Sequence, residues 1–124
     1  MTCIELDTAQ TTLVKLSGLS WKKMKKAINA KKYCKAAKEA NEVFEAIRQD
    51  LVAEFKAPEK DNLQQGDAGW SGFWERYNEA GEVEANAELP EFQFSEDEIL
   101  HSETIGWTAN DMTSFEALGI LQDS

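Results

Sequence analysis

Apolar residues between Tyr33 and Phe55 recur at steps of three and four: Tyr33, Ala36, Ala37, Ala40, Phe44, Ile47, Leu51 and Phe55. Placed at ~100° per residue, they fall within about 100° of arc, the width of a core-facing helix stripe. Lys35, Lys38, Glu39, Glu42, Glu45, Gln49 and Glu54 take the other faces, and no Gly or Pro interrupts the run before Pro58. Upstream, Ser20 is placed to cap a helix beginning at Trp21, so the helical segment reads as 20–56. Trp21, Met24 and Ile28 share a face turned by more than ~120° from the main stripe. Either the helix breaks near Asn29-Ala30, or one continuous helix shows different faces to different neighbours.

A polar loop, 57–68, carries Pro58, Asp61, Asn62 and Gly66. Helical spacing then returns over 69–81, with Trp70, Phe73, Trp74, Tyr77 and Gly81 on one side. Two amphipathic helices joined this way fold back as an antiparallel hairpin. Period two marks two other stretches. Residues 1–18 read as β-strands, because Ile4 and Leu6 alternate with Glu5 and Asp7 and Thr11–Val14 is β-prone. Residues 82–94 alternate Val83, Ala85, Ala87 and Leu89 with acids and Asn86, and Pro90 either ends that strand or forces it to a sheet edge, with Phe92 and Phe94 continuing the alternation. It is expected to pair near the N-terminus. Finally, Thr108 and Asp111 resemble a capping box, Trp107 and Met112 are placed as a hydrophobic staple, and Gly119 suits a helix stop, giving a short helix over 108–119. The pattern predicts one α+β domain, 1–124: a helical hairpin, a small antiparallel β-sheet and a short C-terminal helix.

Charge changes this picture more than composition does. The net charge of −10 hides a segregation: residues 1–38 hold nine Lys against Glu5 and Asp7, a balance of +7, and the remainder stands at −17. Four lysines in the first two turns of the long helix oppose its dipole, which acids from elsewhere or a partner's anions would relieve. Cys3 and Cys34 make neither a metal spacing nor a disulfide framework. No apolar run is long enough for a membrane span and no signal-peptide pattern opens the chain, so a cytoplasmic protein without membrane attachment is expected.

The segments FEAIRQDLVAEF (Phe44–Phe55), EVEANAELPEFQFSEDEI (Glu82–Ile99) and TANDMTSFEALGIL (Thr108–Leu121) together resemble a family of small phage-encoded proteins of unknown function. Phe44, Glu45, Arg48 and Leu51 match its F-E-x-x-R-x-x-L pattern on a long helix. Thr108, Asp111, Met112 and Glu116 match its capped closing segment, with Phe115 where leucine is usual. The resemblance covers about two-thirds of the chain, from about Leu19 onward. The aromatic helix and the lysine-dense start depart from the pattern. A phage origin, and hence the cytoplasm of the host cell, is what it implies; it carries over no catalytic residue.

No nucleophile–base pair, phosphate loop or zinc spacing is recognisable, and His101 stands alone, so no enzyme, metal or cofactor is expected. Glu96, Asp97 and Glu98 lack the alternate spacing and Gly of a calcium loop. Lys22, Lys23, Lys26, Lys31, Lys35 and Lys38 form the best anion-facing ridge, yet two Arg and a pI of about 4.5 argue against free nucleic acid. Candidate partner contacts are those six lysines, Trp21, Trp70 and Trp74, and Glu96, Asp97 and Glu98. The leading expectation is a non-enzymatic inhibitor of a host macromolecule, an anti-CRISPR or similar counter-defence component whose target handles nucleic acid. The alternatives are a virion structural or assembly protein, and an oligomer, dimeric or larger, that sequesters a small anionic nucleotide signal.

Overall fold

The computed structural model describes residues 1–85 and 88–122. Among these there are four α-helices, α1 (Cys3–Ser17), α2 (Met24–Phe55), α3 (Trp70–Gly81) and α4 (Ala109–Leu118), and two 3₁₀ turns, Glu96–Glu98 and Ser102–Thr104. The described residues contain no sheet, only three isolated bridges, so the expected α+β architecture is corrected to a helical one.

The expected N-terminal strands are α1. Thr2 Oγ1 accepts the Glu5 N–H at 3.3 Å while Glu5 Oε1 accepts the Thr2 N–H at 2.9 Å, a capping box that satisfies two helix-start donors. Leu6, Ala9, Leu13 and Leu16 then lie on one buried face. Burial of that stripe outweighs the modest β preference of Thr11, Thr12 and Val14.

The long helix is continuous through Asn29-Ala30, but it starts at Met24 rather than at Trp21. Ser20 and Trp21 are extended instead. The Ser20 carbonyl accepts the Leu100 N–H at 2.9 Å, and the Lys22 N–H donates to the Glu98 carbonyl at 3.0 Å, an antiparallel bridge centred on Trp21 and Ile99. The rotated apolar face is split: Trp21, outside the helix, is buried, while Met24 and Ile28 are exposed. Ile47, at the margin of the main stripe, is also exposed, whereas Phe44 and Leu51 are buried.

No strand forms over the described part of 82–94, and Asn86 and Ala87 of that expected strand lie outside the described residues. Pairing with the N-terminus reduces to one antiparallel bridge, Thr2 with Glu84, flanked by Cys3 N–H to Val83 O and Ala85 N–H to Met1 O, both 2.9 Å. Phe92 and Phe94 do alternate, buried, with exposed Glu91 and Gln93, but Phe94 bridges Leu121 instead of joining a ladder. An extended segment whose alternate side chains are buried needs no partner strand to keep its period.

α2 is the spine. Gln10 Nε2 donates to the Ala37 carbonyl, Cys34 Sγ to the Leu13 carbonyl, and Asn41 Nδ2 to Asp7 Oδ1, so α1 runs antiparallel to the first half of α2. Tyr77 packs against Phe44 with the rings tilted by 40°, and Gly69 and Gly72 sit against Phe55, so α3 runs antiparallel to the second half. The end of α3 meets the start of α1 where Gly81 abuts Ile4, placing the two short helices end to end along α2. Two apolar clusters follow from this layout. The main one joins α1, the first half of α2, Trp21, Phe92, Phe94, Ile99, Phe115 and Ile120. The second gathers Leu51, Leu63 and Phe73, with Phe55, Trp70 and Tyr77 against them.

α4 covers the other side of α1. Its Thr108–Asp111 capping box is complete and Gly119 ends it in the left-handed region at φ 69°, where glycine carries no Cβ penalty. The expected staple differs: Trp107 packs edge-on against Phe115, ring centroids 5.1 Å apart, and Met112 is exposed.

Candidate functional site

The lysine ridge divides into two places: Lys22, Lys23 and Lys26, at the entry to α2, face the Glu96–Glu98 turn, whereas Lys31, Lys35 and Lys38, further along α2, face α1. Lys22, Lys23 and Lys26 surround a concavity of about 220 Å³ with Asp97 and Glu98. Lys26 Nζ lies 3.3 Å from Glu98 Oε2, donates to the Gln93 carbonyl at 2.7 Å, and stands over the Phe92 ring. Burial raises the Glu98 pKa, but the Ser95 N–H, the Lys26 ammonium and the Ser95 hydroxyl outweigh it and hold the carboxyl below its ordinary value. The acidic turn therefore supplies the negative charge that the lysine-bearing start of α2 needs. Glu96 of the same turn is exposed, and Ser95 Oγ is bound to Asp97 Oδ1. Glu98 is thus paired with Lys26 and Asp97 lines the same concavity, while Glu96 faces solvent.

Lys31, Lys35 and Lys38 are brought together elsewhere. They form one edge of an open groove of about 360 Å³ between α1 and α2, with Gln10, Leu13, Val14, Ser17 and Cys34 completing it. All three lysines are exposed, and none has a carboxylate within ion-pair distance among the described residues. Val14 on the opposite edge is 70% exposed. The polar side chains between are already occupied: Gln10 donates to the Leu6 and Ala37 carbonyls, Ser17 to the Val14 carbonyl, and Cys34 to the Leu13 carbonyl. Burial pushes the Cys34 thiol up to about 11, so it is neither a nucleophile nor a ready metal ligand at neutral pH.

The three candidate tryptophans have different fates. Trp21 is in the main cluster, edge-on to Phe92 and Phe94. Trp70 is half-buried and stacks on Trp74, which is 49% exposed and continues the ladder to Tyr77. Only Trp74 offers much of its ring to an outside partner.

A buried polar cluster was not foreseen. Asp111, 2% exposed, accepts Thr12 Oγ1 at 2.6 Å and Lys15 Nζ at 2.5 Å from α1, while its Oδ2 also accepts the Thr108 N–H at 3.0 Å. Burial would raise its pKa; the Lys15 and Thr12 hydrogen bonds, the Thr108 N–H and the Lys15 charge reverse this and hold it well below the carboxylate range. The cluster clamps α4 to α1 and is structural. Asp111 was visible only as a cap, since Lys15 is distant in sequence. The α1 edge of the groove was hidden by reading 1–18 as strands, although the T-x-x-E signal at Thr2–Glu5 could have revealed it. Among the described residues no group of three or more His, Cys, Asp and Glu side chains is arranged to hold a metal ion, and no helix is long and apolar enough to cross a membrane.

No family model, curated protein or solved structure matches the chain.

Proposed function

We propose that the chain is a non-enzymatic, phage-encoded accessory protein that binds and blocks a host macromolecule through its charged surfaces. The observation that carries this reading is the groove edge formed by Lys31, Lys35 and Lys38: three exposed cations beside an apolar surface, without ion-pair partners among the described residues. Isolated surface lysines contribute little to folding. Cations beside uncovered apolar surface favour an interface, where charge steers the encounter and apolar burial holds it. The exposed ring of Trp74 is a second anchor of the type that dominates interface energetics.

The test is capture from host lysate with the tagged full chain, washed at moderate salt and identified by mass spectrometry. One protein enriched well above background is expected, together with loss of that protein's activity on addition of the chain. Enrichment of nothing, with the chain present in purified virions, replaces this reading with an assembly role driven by the segregated charge. A nucleotide retained through purification replaces it with sequestration.

A further inference from the structure

The geometry points to a definite occupant for the α1–α2 groove: an acidic amphipathic helix of a partner protein. This rests on the binding reading above and adds the place and the chemistry.

Two antiparallel helices leave a furrow of the shape that a third helix fills in bundles and in helix-in-groove complexes. Here Val14 is the exposed apolar edge of the furrow, above a floor of buried Leu13 and Cys34. Val14 faces water across most of its surface, so burial under an apolar side chain is available to a partner. Lys31, Lys35 and Lys38 follow at steps of four and three, about 10.5 Å along the axis at 1.5 Å per residue. A helix lying along that edge with Glu or Asp at the same steps meets each ammonium in turn, and the residues between present an apolar side to Val14.

The other occupants fit less well. Gln10, Ser17 and Cys34 spend their donors within the fold, so the groove has lysine charge but few directional donors for a phosphate or a base. No Arg or aromatic ring lines it, whereas single-stranded nucleic acid is held by stacking as well as charge. A second copy, whose residues 39–124 stand at −17, is the remaining alternative, and the self-association outcome below tests it.

The probe is a synthetic helical peptide carrying Glu at i, i+4 and i+7 beside leucines, titrated into the ¹⁵N-labelled full chain and followed by amide shifts. The expected result is saturable shifts confined to residues 10–17 and 31–38. Lys31→Glu/Lys35→Glu/Lys38→Glu should weaken binding about tenfold, since three screened pairs together reach the ~1.4 kcal/mol of one decade. The Gln version of the triple variant serves if the Glu version loses its fold. Four results overturn the inference: no shifts, equal binding of a peptide with Gln for Glu, preferential binding of a single-stranded oligonucleotide at these residues, or self-association through this face. The triple variant in the lysate capture separates the two readings. A partner captured equally by both forms leaves the general function standing and removes the groove. Peptide binding with no partner captured by the wild type does the reverse.

Discussion

Replacing Asp111 with asparagine removes the charge from the clamp between α1 and α4 while leaving its shape almost unchanged. The wild-type carboxylate is buried and has three donors: the Thr12 hydroxyl, the Lys15 ammonium and the Thr108 N–H. Removing one member of a buried pair costs about 3–5 kcal/mol, chiefly by stranding the other charge. Lys15 keeps 33% of its side-chain exposure and a hydrogen bond to the Gly106 carbonyl, so the low end, about 3 kcal/mol, is expected. Asp111→Ala also removes half of the capping box and costs about 1 kcal/mol more. In a chain of this size about 3 kcal/mol lowers Tm by about 12 °C. Urea unfolding followed by circular dichroism measures it, with Lys15→Met and the double variant completing a cycle. The folded Asp111 pKa lies below that of an unfolded aspartate, ~3.9, so its stabilisation is complete above that pH and is lost as pH falls toward the folded value. The wild-type and Asp111→Asn stabilities should therefore converge on acidification. An Asp111→Asn protein within about 0.5 kcal/mol of wild type at pH 7, or a cycle without coupling to Lys15, refutes the clamp.

Gly69→Ala should destabilise by about 1–3 kcal/mol, because its Cβ would stand 1.9 Å from the Phe55 carbonyl oxygen. Gly72→Ala meets only the edge of the Phe55 ring and should cost less by the same denaturation assay. Phe94→Ala should cost about 3–5 kcal/mol, since the ring is wholly buried among Trp21, Phe92 and Phe115. The Cys34 thiol should resist an aromatic disulfide reagent at pH 8 until denaturant is added; rapid labelling of both cysteines in the native protein contradicts its burial.

Legibility followed the length of the pattern. The Tyr33–Phe55 stripe and the Trp70–Gly81 face each repeat over several turns, and helices lie there. The Thr108–Asp111 box announces α4 by local chemistry alone. Residues 3–17 misled because Ile4–Asp7 alternates for only four residues, a length at which either period fits, while Leu6, Ala9, Leu13 and Leu16 hold the helical spacing across the whole segment. The 82–94 alternation is reflected in the burial of Phe92 and Phe94, but a sheet needs partners that no local pattern names. The lysines were legible as charge. Their division was not, because it depends on where the 3₁₀ turn at Glu96–Glu98 lands, some seventy residues away.

The end-to-end seating of α3 and α1 along one uninterrupted helix has a mechanical consequence. The Leu51–Leu63–Phe73 end can loosen while the lysine-lined furrow stays assembled, because separate sets of side chains secure the two ends. A deletion or a tag fused near the distal loop should therefore leave the α1–α2 end of the rod intact.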